Sequence, residues 1–307
     1  GGIFGNGGQQ GTENPTAASN PAFAVDVSAE EFRSAAYDAN PHAATSRPGL
    51  PLALSLLEEG VSVIGIDRDP DVREAAARGV MPWREPGYDD LMAKRELKVF
   101  EDPSVVSTAR YLIITVGTPL YQHVESDLSQ VSAVLDAIAP HLRPGHMVCL
   151  RSTVSPGTTA FVAKWLRRET GLILGEELML AFCPARIAEG RAYEELRTLH
   201  QVIGASDDQS HEMAAALFGR LAPTTVATDP VSAELVKLFT NMVRYVNFAV
   251  ANQLTLVAEA FDANIYDIRE MANLDYPREH IPKPGLTAGS CLRKDFGMLS
   301  EWSAYPD

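Results

Sequence analysis

From residue 49 onward, hydrophobic positions fall into alternating short and long runs. "GLPLALSLLEEG" carries apolar residues at helical spacing and stops on Gly60. "VSVIGIDRD" is a strand-length apolar run that ends on acidic residues. The alternation continues with a helix in "DPDVREAAARG", a strand in "YLIITVG", a helix in "LSQVSAVLDAIAPHL" and a strand in "HMVCLRST". A further helix, "GTTAFVAKWLRRETG", leads to the strand "LMLAFCP", and "DDQSHEMAAALFGRLA" and "PTTVATD" add one more of each. Strands alternating with helices at this spacing predict βαβ units. Runs as apolar as "LIITV" suit burial on both faces. The predicted fold class is α/β, a Rossmann-like parallel sheet.

After residue 229 the alternation stops. "PVSAELVKLFTNMVRYVNFAVANQLTLVAEAFDA" reads as one long helix, apolar on more than one face. That predicts a spine which buries a second copy, and so a homodimer. Residues 1–44 are rich in Gly, Asn and Ala with no sustained apolar period. They are expected to be irregular, apart from a short helix in "SAEEFRSAAY", and to supply no apolar first strand. The domain reading is thus an irregular segment at 1–44, a dinucleotide-binding sheet domain at 45–229, and a helical, dimerising domain at 230–307.

Composition narrows the partners. Lys and Arg number 26 against 40 for Asp and Glu, a net charge of −14. That balance argues against nucleic acid, whose phosphates need a basic surface. It leaves a nucleotide open, because backbone amides at a helix start can hold one. The three cysteines, Cys149, Cys183 and Cys291, are odd in number and widely spaced. This argues against a disulfide framework and a four-ligand zinc site. The longest apolar runs are strand-sized and no charged-then-apolar leader opens the chain, so the expectation is a cytoplasmic protein with no membrane partner.

Asp67 closes the strand "VSVIGID", the position from which an acidic residue reaches the ribose hydroxyls of a dinucleotide; a plain turn aspartate is the equal alternative. Gly49 is all that remains of a G-x-G-x-x-G loop ahead of the first helix. "VGTP", with Thr118, and "STVSPGTT", with Thr153 and Thr158, follow apolar strands, where open α/β sheets bind ligands. For Thr158 a helix N-cap is the favoured reading. Lys237 and Asn241 are four apart and share a helix face. A solvated face is the default for such a lysine. Cys291, in "TAGSCLRKDFGM", lies among small residues with cations close by, a setting that lowers a thiol pKa and makes a nucleophile.

Together the runs "GLPLALSLLEEGVSVIGID", "EPGYDDLM", "VGTP", "RSTVSPGTT", "FCPARIAEG", "AELVKLFTN" and "AGSCLRKD" resemble the nucleotide-sugar 6-dehydrogenases, in family order over about residues 49–303. The resemblance implies oxidation of a sugar C6 alcohol to a carboxylate with two NAD⁺ and a covalent cysteine adduct. It makes Cys291 the nucleophile and Lys237 and Asn241 the pair stabilising the C6 oxyanion. Thr153 and Asp295 resemble the residues that hold the catalytic water. Lys294 falls near the active site or cofactor, Glu189 near the substrate, Gly289 where the sugar approaches the thiol. Gly49, Asp67 and Thr118 become cofactor positions.

Three departures stand out. The family's glycine loop is not recognisable ahead of Gly49. Ala185 occupies the place of the glutamate that assists thioester hydrolysis. The family's C-terminal nucleotide-binding domain is expected to be absent. The details of "CPARIAEG" and "CLRKD" favour UDP-N-acetylmannosamine as substrate over UDP-glucose. The competing readings are an inactive paralogue that only dimerises and a two-electron hydroxyacid dehydrogenase. The second has no use for Cys291.

Overall fold

The computed structural model describes residues 22–26, 49–118, 120–121, 125–126, 128–278, 280–285, 295 and 298–299. Its centre is an eight-stranded sheet in the order β10-β9-β8-β7-β4-β1-β2-β3. The strands are β1 (Ala22–Asp26), β2 (Ser62–Ile66), β3 (Lys98–Phe100), β4 (Tyr111–Ile114), β7 (His146–Leu150), β8 (Leu178–Phe182), β9 (Gln201–Ala205) and β10 (Thr225–Thr228). A two-stranded hairpin of β5 (Leu120–Tyr121) and β6 (Glu125–Ser126) lies apart from it.

The expectation that residues 1–44 supply no first strand is overturned. β1 runs parallel between β2 and β4, with Ala24 opposite Ile64 on one side and Leu112 on the other. The apolar run "AFAVD" lies well ahead of Gly49, with residues 27–48 between them. A search for a strand directly against the helix start therefore passes over it. The proposed short helix at 28–37 lies outside the described residues.

The helices are α1 (Gly49–Glu58), α2 (Pro70–Ala77), α3 (Asp89–Lys94), α4 (Ser129–Ile138), α5 (Thr158–Thr170), α6 (Ala192–Thr198), α7 (Asp208–Phe218), α8 (Pro230–Glu259) and α9 (Ile265–Asn273). α1 and α7 cover one face of the sheet, where Leu50, Leu54, Cys149, Cys183, Leu217 and Phe218 share a core. α4 and α5 cover the other face, packing Val134, Leu135, Val162 and Leu166 on Val148 and Phe182.

The expected all-parallel sheet turns over at one place: β9 pairs with β8 antiparallel. The connecting helix α6 has 7 residues. β3, α3 and α6 are absent from the sequence reading because each is short; β9, no shorter than β7 or β8, is absent from it as well.

α8 is the long helix expected, 30 residues from the N-cap Asp229, whose carboxylate accepts from Ser232 N. Its start is pressed against β9 at Gly204. A Cβ there would lie 2.6 Å from Ala233 Cβ and 2.9 Å from Asp229 O, so only glycine permits the approach. This contact seats the first turns of α8 at the sheet, where the site forms. Among the described residues, no helix is long and apolar enough to cross a membrane.

Candidate functional site

The loops after β4 and β7 are joined by two short hydroxyl side chains. Thr118, buried, donates from Oγ1 to the carbonyl of Thr153. Ser152 Oγ donates to Val116 O at 2.6 Å. The structure thus brings two of the expected site threonines together, with Thr153 half-buried. Thr158 is not the cap of α5. That position is Gly157, held at φ 90°, and Thr158 Oγ1 turns back to Ser155 O at 2.6 Å.

The amides at the start of α5 are instead satisfied from α8. Glu234, fully buried, accepts from Gly157 N at 2.6 Å, Thr159 N at 2.8 Å and Thr159 Oγ1 at 2.6 Å. Burial pushes its carboxyl above the ordinary range, and the hydrogen bonds from Thr159 and Gly157 oppose that shift. Glu234, Lys237, Leu238 and Asn241 follow the i, i+3, i+4, i+7 spacing of one helix face. One buried carboxylate therefore fixes the rotation of that face against the Thr153 loop.

Asn241 is buried on the same face, and its Nδ2 donates to Oδ2 of Asp295, itself buried. Lys237 is half-buried one turn earlier. Cys291, Lys294 and Gly289 lie outside the described residues. Their flanks are within them, and both are tied to α8. Gly285 exchanges two hydrogen bonds with the side chain of Asn252, N to Oδ1 at 3.0 Å and O from Nδ2 at 2.8 Å. On the far side, Asp295 meets Asn241 and Met298 packs with Leu238.

Glu189 is exposed, on the loop between β8 and α6. That loop is anchored by Glu85, buried, which accepts from Gly190 N and Ala192 N, both at 3.1 Å. Sequence reasoning gave no role to Glu234, Glu85 or Asn252. The one available signal was a lone acid in the apolar run "AELVKLF", three residues before the lysine.

Strand order reverses between β1 and β4, the crevice where doubly wound sheets take their ligand. Asp67 is fully buried just past β2; its Oδ1 accepts from Asp69 N at 2.9 Å and its carbonyl from Arg73 Nη1 at 2.8 Å. Ile66 and Arg68, which flank it, line a pocket with Ile114, Val134 and Ile138. Apolar walls beside a buried carboxylate fit the adenosine half of a dinucleotide. Gly49 opens α1 at the same end of the sheet, buried at the helix start.

These features define a dinucleotide-binding protein of the doubly wound class. Within that class, the chain belongs to the UDP-glucose/GDP-mannose dehydrogenase family. Residues 48–222 match the family's NAD binding domain and residues 231–305 its central domain. The UDP-N-acetyl-D-mannosamine dehydrogenase of Pyrococcus horikoshii is 32% identical over 257 residues, 82% of this chain and 61% of that protein. The NDP-N-acetyl-D-galactosaminuronic acid dehydrogenase of Ralstonia nicotianae is 30% identical over 260 residues, 80% of this chain and 60% of its own. This chain thus spans about three-fifths of such relatives. The solved UDP-D-ManNAc dehydrogenase from Pyrococcus horikoshii superposes with a TM-score of 0.80 at 30% identity, over 93% of this chain and 65% of that one. A UDP-glucose dehydrogenase from Pyrobaculum islandicum gives 0.77 at 25% identity, over 94% and 65%. A 3-hydroxyisobutyrate dehydrogenase of Mycobacterium tuberculosis, at 16% identity and a TM-score of 0.61 over 93% and 89%, shares the fold alone.

Proposed function

We propose that this chain carries the catalytic half of an NAD-dependent enzyme that oxidises a nucleotide-sugar C6 alcohol to the uronate. The preferred substrate is UDP-N-acetyl-D-mannosamine. NAD⁺, when bound, accepts one hydride in each of two oxidation steps. Asp67 and Arg68 would hold its adenosine half, with Gly49 and Thr118 near the rest.

The observation that carries the reading is the Asn241–Asp295 hydrogen bond. It docks Asp295, four residues after Cys291 in the sequence, onto the helix face that carries Lys237. In this reading Lys237 and Asn241 stabilise the oxyanion at C6, an electrostatic role suited to a fixed charge and an amide donor. The Cys291 thiolate adds to the aldehyde carbon, and the oxygen takes a proton to give a thiohemiacetal. Loss of a second hydride yields a thioester, and water held by Thr153 and Asp295 cleaves it to carboxylate and free thiol. Lys294 and Gly289 complete the thiol's surroundings, and Glu189 contacts the substrate. Ala185 offers no carboxylate for the hydrolytic step, which is therefore slow.

The preference for an N-acetylated hexosamine rests on the relatives' names and on the "CPARIAEG" and "CLRKD" runs; UDP-glucose is the alternative. The homodimer rests on α8. Phe239, Val243, Val246, Val250, Leu254 and Val257 are all exposed and recur at spacings of four and three, one apolar stripe down the helix. An inactive chain that only dimerises is the second reading, favoured by Ala185. Incubating the chain with UDP-N-acetyl-D-mannosamine or UDP-glucose and NAD⁺ tests both. NADH formation with the first and less with the second supports the proposal. NADH from neither, with a dimer by sedimentation, supports the second reading.

A further inference from the structure

Arg151, the residue after β7, is 3% exposed and lies on the α7 face of the sheet, away from α5. Its guanidinium lies 5.1 Å above the ring of Phe218. Both of its hydrogen bonds leave from Nη1, to the carbonyl of Cys183 at 3.0 Å and to Gln201 Oε1 at 2.8 Å. These acceptors are neutral. Gln201 is spent as well, its amide donating to the carbonyls of Pro184 and Val202. Among the described residues, no carboxylate pairs with Arg151 and its Nε has no acceptor. A buried charge ordinarily requires a counter-charge. Although the chain carries a net charge of −14, the described residues provide none here. Burial pushes this guanidinium down to about 10, so it remains a cation at neutral pH.

The same guanidinium lines a small pocket together with Arg186, Ile187, Glu195, His200 and Gln201. Glu195, the one acid in that lining, is committed elsewhere. Its Oε2 accepts from Ala188 N at 2.6 Å and its Oε1 pairs with Arg191 at 3.3 Å. The lining therefore holds two arginines and no uncommitted anion. The Nε–Nη2 edge is left over, the edge a carboxylate bridges with two parallel hydrogen bonds.

We propose that the pocket between α6, α7 and the end of β7 binds a compact carboxylate anion on Arg151, at a site separate from the one built on α8. The anion neutralises the buried cation, so it binds the folded chain in preference to the unfolded one and stabilises it by mass action.

The test is the thermal midpoint of the full chain as sodium formate replaces sodium gluconate at constant ionic strength, which holds charge screening fixed. Gluconate is too bulky to enter. The midpoint of the wild-type chain rises with the logarithm of formate concentration, and Arg151→Met removes that dependence. Should Arg151→Met not fold, Arg186→Ala, a change at a half-buried position, decides by weakening the apparent formate affinity several-fold. Three results overturn the proposal: equal midpoints in formate and gluconate, a formate response kept in Arg151→Met or unaltered in Arg186→Ala, or a chloride response as large as that to formate.

Discussion

Replacing Glu234 by alanine perturbs the site without touching any residue assigned to the chemistry. Three donors lose their acceptor: Gly157 N, Thr159 N and Thr159 Oγ1. A buried donor left unsatisfied costs about 1–3 kcal/mol. Gly157 is half-buried and can take a water, and the Thr159 hydroxyl can rotate, but Thr159 N is enclosed. The expected loss is about 3–5 kcal/mol, a large share of the ~5–15 kcal/mol that holds a domain folded. Glu234→Gln keeps the shape and one acceptor but turns an amide N–H₂ toward N–H donors, so about 1–2 kcal/mol is expected. The pH dependence has a definite sign. Burial raises the folded-state pKa of Glu234, so its contribution is full below the ordinary value of 4.5 and is lost as pH rises through the folded value. The advantage of wild type over Glu234→Gln is therefore greatest in acid and shrinks from about pH 4.5 upward. Urea unfolding followed by circular dichroism gives the stability at each pH, and amide exchange at residues 157 and 159 reports the cap itself. A loss under about 1 kcal/mol in Glu234→Ala, with exchange unaltered, refutes the clamp.

Gly204→Ala drives a methyl into Ala233 and the backbone of Asp229, so urea unfolding is expected to show a loss of about 1–3 kcal/mol, with turnover falling as α8 is displaced. Asn252→Ala frees Gly285 from α8 and is expected to lower turnover several-fold at little cost in urea midpoint; unchanged turnover contradicts the tether. If the proposed homodimer forms through α8, Val246→Glu, which places a charge in the middle of its exposed stripe, is expected to sediment as a monomer where wild type sediments as a pair.

The alternation of apolar strands and amphipathic helices was legible because from Gly49 onward most of those elements follow one another closely and each apolar run is set off by its neighbours. β1 was not, since five residues separated from α1 by residues 27–48 carry no periodic signature. The reversal at β9 was equally hidden, because the apolar pattern of a strand does not encode its direction. Lys237 and Asn241 could be singled out from their spacing on one helix face, Asp295 only from the resemblance to the family, and the structure joins the last two. Glu234 and Glu85 could not be. Their work is to accept hydrogen bonds from backbone amides of loops 75 and 105 positions away, and a distant amide leaves no trace in sequence. Arg151 is similar: only burial distinguishes it from the solvated arginines of the chain.

The central claim is that Cys291 carries the sugar through the second oxidation, and the mass of the intact protein tests it most directly. After incubation with UDP-N-acetyl-D-mannosamine and NAD⁺, the account predicts a mass increase equal to the oxidised substrate. It maps to Cys291, disappears in Cys291→Ala, and fades in Ala185→Glu as hydrolysis recovers. Uronate produced by Cys291→Ala, or produced by the present chain with no adduct at Cys291 at any time, contradicts the account.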